Sequence, residues 1–133
     1  MDAAMREQVR LRANDRCEYC HLPQAQAPIP RFHLEHIRPR KHGGTDADDN
    51  LCLACNHCNF HKASNLSGID PLTDSMVRLF DPRKDTWAQH FCFHGARIIG
   101  HTAIGRATVR VLGMNDSEQV ELRLHLLESG TLA

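Results

Sequence analysis

Two cysteine pairs, Cys17-Glu-Tyr-Cys20 and Cys55-Asn-His-Cys58, are the residues of this chain whose spacing points most directly to chemistry. A thiolate pair three residues apart can close on one soft metal ion, and two such pairs complete a tetrahedral four-sulfur zinc site. Cys52, Cys55 and Cys58 are evenly spaced, so Cys52 with Cys55 is formally a competing second pair. Between the pairs lies His33-Leu-Glu-His-Ile-Arg-Pro-Arg-Lys-His-Gly-Gly44, followed by Asn50-Leu51. Hydrolysis of a phosphodiester needs an activated water, a cation near the scissile phosphate and a group holding the base in place. His36 is the candidate general base, because a neutral imidazole accepts a proton at physiological pH. Glu35 is the candidate hard-oxygen ligand for magnesium or manganese, and Asn59 is a candidate second ligand. Asn50 is the candidate orienter of the loop that carries the histidine. Arg38, Arg40 and Lys41 follow the histidine and could track a phosphate backbone, and Lys62 could pair with a phosphate oxygen.

These residues need elements to position them. Met5, Val9 and Ala13 recur at helical spacing and predict a short amphipathic helix over 3–13. Residues 31–38 and 51–54 are expected as two short extended segments, separated by the Gly43-Gly44 turn and a polar stretch. Residues 21–30 are expected to be irregular. A helix is expected from about Cys55 to Ala63, which puts Asn59 and Lys62, three apart, on one face. Strict strand alternation would send Glu35 and His36 to opposite faces. Both reach one cation only if the strand ends, twists or bulges there, and Pro39 offers such an ending. Residues 64–85 carry turn signals and are expected to wrap the core as an irregular belt. Residues 87–93 and 96–100 are expected to pair as a hairpin, followed by helices around 104–111 and 120–127, the last opened by a capping box from Asn115 to Glu118.

The order Glu35-His36, Pro39, Gly43-Gly44, Asn50-Leu51, Cys55-x-x-Cys58-Asn59 and Lys62 resembles the HNH endonuclease family. The resemblance implies an α+β fold with a zinc-stapled ββα-metal core. It assigns water activation to His36, support of the hairpin loop to Asn50, and binding of one catalytic divalent cation to Asn59 with Glu35. It also favours Cys17, Cys20, Cys55 and Cys58 as the zinc ligands and leaves Cys52 as a buried thiol. Glu35 departs from the pattern, since an Asp is more usual before the histidine. DNA is the expected substrate, because most of the family cuts it. The segments 64–71 and 95–100 extend the likeness toward full length, to stand-alone bacterial members.

Length and charge limit what surrounds the site. At 133 residues one domain is expected, 1–133, with a core at about 14–64 and a C-terminal extension at about 65–133 that adds a β-hairpin and helices. The formal net charge is zero with ten histidines counted as neutral, so nucleic-acid affinity must come from local patches, or from a homodimer or protein partner. No apolar run approaches a membrane span and no secretory leader is visible, so a soluble cytoplasmic protein without a membrane partner is expected. Six cysteines then read as metal ligands and buried thiols. The competing function class is a non-catalytic zinc module that binds nucleic acid or protein. A cysteine-based redox sensor, which would require exposed reactive thiols, is the third.

Overall fold

The computed structural model describes residues 1–26 and 31–131. The expectation of irregular chain at 27–30 lies outside the described residues. Helix α1 (Ala3–Arg12) starts where the Asp2 carboxylate accepts the Met5 amide at 2.8 Å. It buries Val9 and packs on the second strand of a hairpin. That hairpin pairs β1 (His33–His36) antiparallel to β2 (Leu51–Ala54), with His33 opposite Ala54 and His36 opposite Leu51. β2 is buried at all four positions, which suits its unbroken apolar run. Helix α2 (Asn56–Lys62) follows at once and packs against β1. It stops at Ala63, whose φ of 48° leaves the helical region.

The belt expected over 64–85 contains a further hairpin, β3 (Ser67–Ile69) with β4 (Met76–Arg78). Three residues per strand are too few to set up a readable alternation, and what fixes this pair is tertiary. Gly68 lies so close to Val111 that an added Cβ would stand 2.5 Å from its Cγ2. The Asp70 carboxylate, buried just beyond β3, takes two hydrogen bonds from Arg106 at 2.8 and 2.9 Å. Arg106 holds that carboxyl far below the usual carboxylate range.

Trp87–His90 forms one helical turn, α3, instead of extended chain. The hairpin proper is β5 (Phe91–His94) with β6 (Arg97–Gly100), turned at Gly95 with φ 59°. Helix α4 (Ala103–Val111) is capped by Thr102, whose hydroxyl accepts the Gly105 amide. Helix α5 (Ser117–Glu128) has Asp116 at its N-cap, not Asn115. The Asn115 amide instead closes on the backbone of Ile98, accepting its N–H at 2.9 Å and donating to its carbonyl at 2.7 Å.

The molecule is thus a mixed helix and sheet structure with three two-stranded antiparallel sheets among the described residues. One hydrophobic cluster joins Tyr19, Phe32, Leu51 and Leu53 to Phe80, Phe91, Ile98, Leu112 and Leu126. The C-terminal elements therefore share their apolar contacts with the cysteine-bearing half. Trp87 adds a polar tie, its indole donating to the Tyr19 carbonyl at 2.7 Å. No helix among the described residues is long and apolar enough to cross a membrane.

Candidate functional site

The first cysteine pair lies in the loop after α1 and the second opens α2. Cys17, Cys20, Cys55 and Cys58 are all buried, and their sulfurs lie within 4.8 Å of one another. Each pair shows the same local geometry, in which the second cysteine's amide points at the first one's sulfur. Cys20 N–H donates to Cys17 Sγ at 3.5 Å, and Cys58 N–H donates to Cys55 Sγ at 3.4 Å. Hydrogen bonds from Cys17, Cys20 and Cys58 pull the Cys55 thiol far below its ordinary range. Those from Cys17 and its neighbours push Cys20 and Cys58 up. A bound dication would take all four as thiolates. Four convergent sulfurs in a closed, buried cage fit zinc in a structural site.

Cys52 stands outside the cage. Its Sγ lies 3.2 Å from Glu35 Oε2 and 3.7 Å from the Tyr19 hydroxyl. Arg123, fully buried in α5, donates to the carbonyls of Ala96 and Met114. Burial lowers its pKa, and the negative charge of Cys20, Cys58 and Cys55 works in the opposite direction. The last helix thus supplies a buried cation whose charge is balanced in part by the cysteine cage.

β1 keeps its alternation through its end. Glu35 turns inward and is buried, while His36 turns to the half-exposed side. Glu35 Oε2 accepts the Tyr19 hydroxyl at 2.7 Å, and Oε1 stands 2.6 Å from Lys62 Nζ. That last contact is an ion pair, whose geometry leaves Oε1 without an aligned hydrogen bond. Lys62 directs its own hydrogen bonds to the carbonyls of His36 and Ile37. Two expectations change here. Lys62, 1% exposed, is shut away from any phosphate in solution and pins α2 to β1. Glu35 is held by three side chains and already faces an ammonium where a metal ligand would face a cation. Asn59 is half-buried on α2, one turn before Lys62.

His36 meets Asp46, a residue with no periodic signal in the sequence. Its Nε2 lies 2.7 Å from Asp46 Oδ1, and Arg40 donates to the same oxygen at 2.6 Å. The His36 hydrogen bond, with Arg40 beside it, holds the Asp46 carboxyl below the usual carboxylate range. An ionised carboxylate only accepts, so Nε2 is the donor, and in the neutral ring Nδ1 keeps the lone pair. Asp46 was hidden because the segment 45–49 reads as a polar turn, and the ten-residue separation gives no periodic signal. The loop is fixed by Asn50, whose Oδ1 accepts Arg38 N–H at 2.8 Å while its Nδ2 donates to the carbonyls of Arg38 and Thr45 at 3.0 and 2.8 Å. Asn50→Ala should lower stability by about 2 kcal/mol through the lost bonds and unsatisfied carbonyls. Urea unfolding of the zinc-loaded protein checks this value.

Arg38, Arg40 and Lys41 are all exposed beside His36. Arg38 uses its Nε on the His42 carbonyl, and Lys41 makes no hydrogen bond or ion pair among the described residues. The more distant basic residues are partly committed within the fold. Arg83 pairs with Glu18, and Arg106 with Asp70.

Comparison with curated proteins and with solved structures gave no match. A family model described as HNH endonuclease matches residues 17–65. That stretch spans both cysteine pairs, the β1–β2 hairpin with its loop, and α2. Residues 17–65, which carry the cysteine cage together with His36, Asn50 and Asn59, are thus the part of the chain that matches the HNH endonuclease family.

Proposed function

We propose that this protein is an endonuclease that hydrolyses phosphodiester bonds in DNA, with His36 as general base on a zinc-stapled ββα core. The observation that supports this reading best is the setting of His36. It stands at the end of β1, partly open to solvent, with its ring held by Asp46 and its loop held by Asn50. Nδ1 is the nitrogen left to take a proton from water. Asp46 steadies the imidazolium that forms, as a carboxylate does for a catalytic histidine. Arg38, Arg40 and Lys41 line the approach and offer charge to phosphate oxygens.

The magnesium or manganese ion that the family implies would fall to Glu35 and Asn59. As arranged, those two do not fit it, because the Lys62 ammonium already sits against Glu35 Oε1 in a buried place. No step of the proposed mechanism therefore passes through that ion.

The same observation favours a second reading, a zinc module that binds nucleic acid without cutting it. Incubating supercoiled plasmid DNA with the zinc-loaded protein, with magnesium, manganese or neither added, separates the two. Nicking supports the enzyme, whereas a mobility shift without nicking supports the binding module.

A further inference from the structure

A second group of metal-ligating side chains lies outside both the cysteine cage and the His36 loop. His57 and His61 are four apart on α2 and therefore share a face, with ring centroids 4.2 Å apart. Asp116, from the loop between α4 and α5, points its Oδ2 at both, 3.5 Å from His57 Nε2 and 3.9 Å from His61 Nε2. One ligand atom from each of the three lies within 4.8 Å of the others.

We propose that His57, His61 and Asp116 form a second metal site that takes a first-row transition ion, zinc first among them. Bonds of about 2.1 Å at tetrahedral angles place neighbouring ligand atoms about 3.4 Å apart. The two observed nitrogen-to-oxygen separations need to close by no more than a few tenths of an ångström. Two imidazoles with one carboxylate suit zinc, cobalt or nickel, and are a poor set for magnesium, which wants oxygen ligands and water.

A second observation points the same way. Asp is a preferred helix N-cap because its carboxylate takes the free amides of the first turn. Asp116 occupies the N-cap of α5 and makes no such bond, its side chain being turned to the histidines. The loop is shaped to permit this. Gly113, with φ 57°, approaches the Asp116 carboxylate so closely that a Cβ there would stand 2.5 Å from Oδ2. Without an ion, His57 Nε2 donates to the Gly113 carbonyl at 2.8 Å, and binding an ion would require the ring to give up that bond and turn toward Asp116.

The site would clasp α2, which carries Asn59 and the second cysteine pair, to the start of the last helix. Asp116 and His61 are partly exposed, 54% and 35% at the side chain. An ion can therefore enter from solvent and keep a water as fourth ligand. This inference does not depend on nuclease activity.

The test uses tag-free full-length protein shown by elemental analysis to hold one zinc, titrated with zinc(II) by calorimetry and with cobalt(II) by visible absorption. The wild type should bind a second equivalent, and cobalt there should lack thiolate charge-transfer absorption. His61→Ala and Asp116→Asn should keep the first zinc and the wild-type circular dichroism. Each should weaken the second site by at least about 100-fold. Failure of the wild type to bind a second ion overturns the proposal, as does second-ion binding that survives in both variants.

Discussion

Cys58→Ser should yield a chain that neither holds stoichiometric zinc nor folds around residues 14–64. Zinc in a four-sulfur site contributes about 10–16 kcal/mol of apparent binding energy that is also folding energy. A domain of this size has a total stability of about 5–15 kcal/mol, so losing one ligand exceeds what the rest of the structure can offset. The cage also joins segments far apart in sequence, the loop after α1 and the start of α2. Its charge lies close enough to buried Arg123 to favour the guanidinium. Elemental analysis and circular dichroism of the purified variant provide the check, and chelation of the wild type should reproduce the loss. Cys52→Ser is the control, because Cys52 is buried beside Glu35 outside the cage. It should retain one zinc and lose no more than about 2 kcal/mol, since a hydroxyl can still serve Glu35. Zinc held by Cys58→Ser and lost from Cys52→Ser would overturn this choice of ligands.

Lys62→Met should destabilise the zinc-loaded protein by about 3–5 kcal/mol, because it leaves the Glu35 carboxylate buried without a cation. The ion pair is nearly sealed, with side-chain exposures of 2% and 5%, so water cannot take over. Lys62 also satisfies the carbonyls of His36 and Ile37, where β1 runs into the histidine loop. The double variant Glu35→Gln with Lys62→Met removes both charges and should recover part of the loss in urea unfolding. Full stability in Lys62→Met, with only nucleic-acid affinity reduced, would instead place Lys62 on the substrate.

The sequence makes the cysteine cage legible because cysteine pairs at fixed spacing have few other uses, and because a helix beginning at Cys55 turns Cys58 back beside it. The histidine loop is legible in part. Asn50 reads as an orienter, and its amide bridges Arg38 and Thr45. Glu35 and Lys62 are harder, since a carboxylate beside a histidine and a lysine on the next helix look like site residues when neither burial nor partners are visible. Alternation along β1 argues for opposite faces, and no bulge at Pro39 overrides it. Asp46 shows no pattern at all, because loop closure brings it to His36. The short hairpin of β3 and β4 is set by Gly68 against Val111 and by Asp70 with Arg106, contacts with no local signature. At α5 the helix itself is visible in the spacing, but Asn115 leaves its expected capping role for the Ile98 backbone.

The proposed reaction is attack on a DNA phosphodiester by water that His36 activates. Its most direct measurement is the initial rate of supercoiled plasmid nicking by wild type and His36→Ala, prepared in parallel with matched zinc content and thermal melting. A loss of about 10²–10⁴-fold is expected in the variant, the usual contribution of a positioned general base. Equal rates in the two proteins would contradict it.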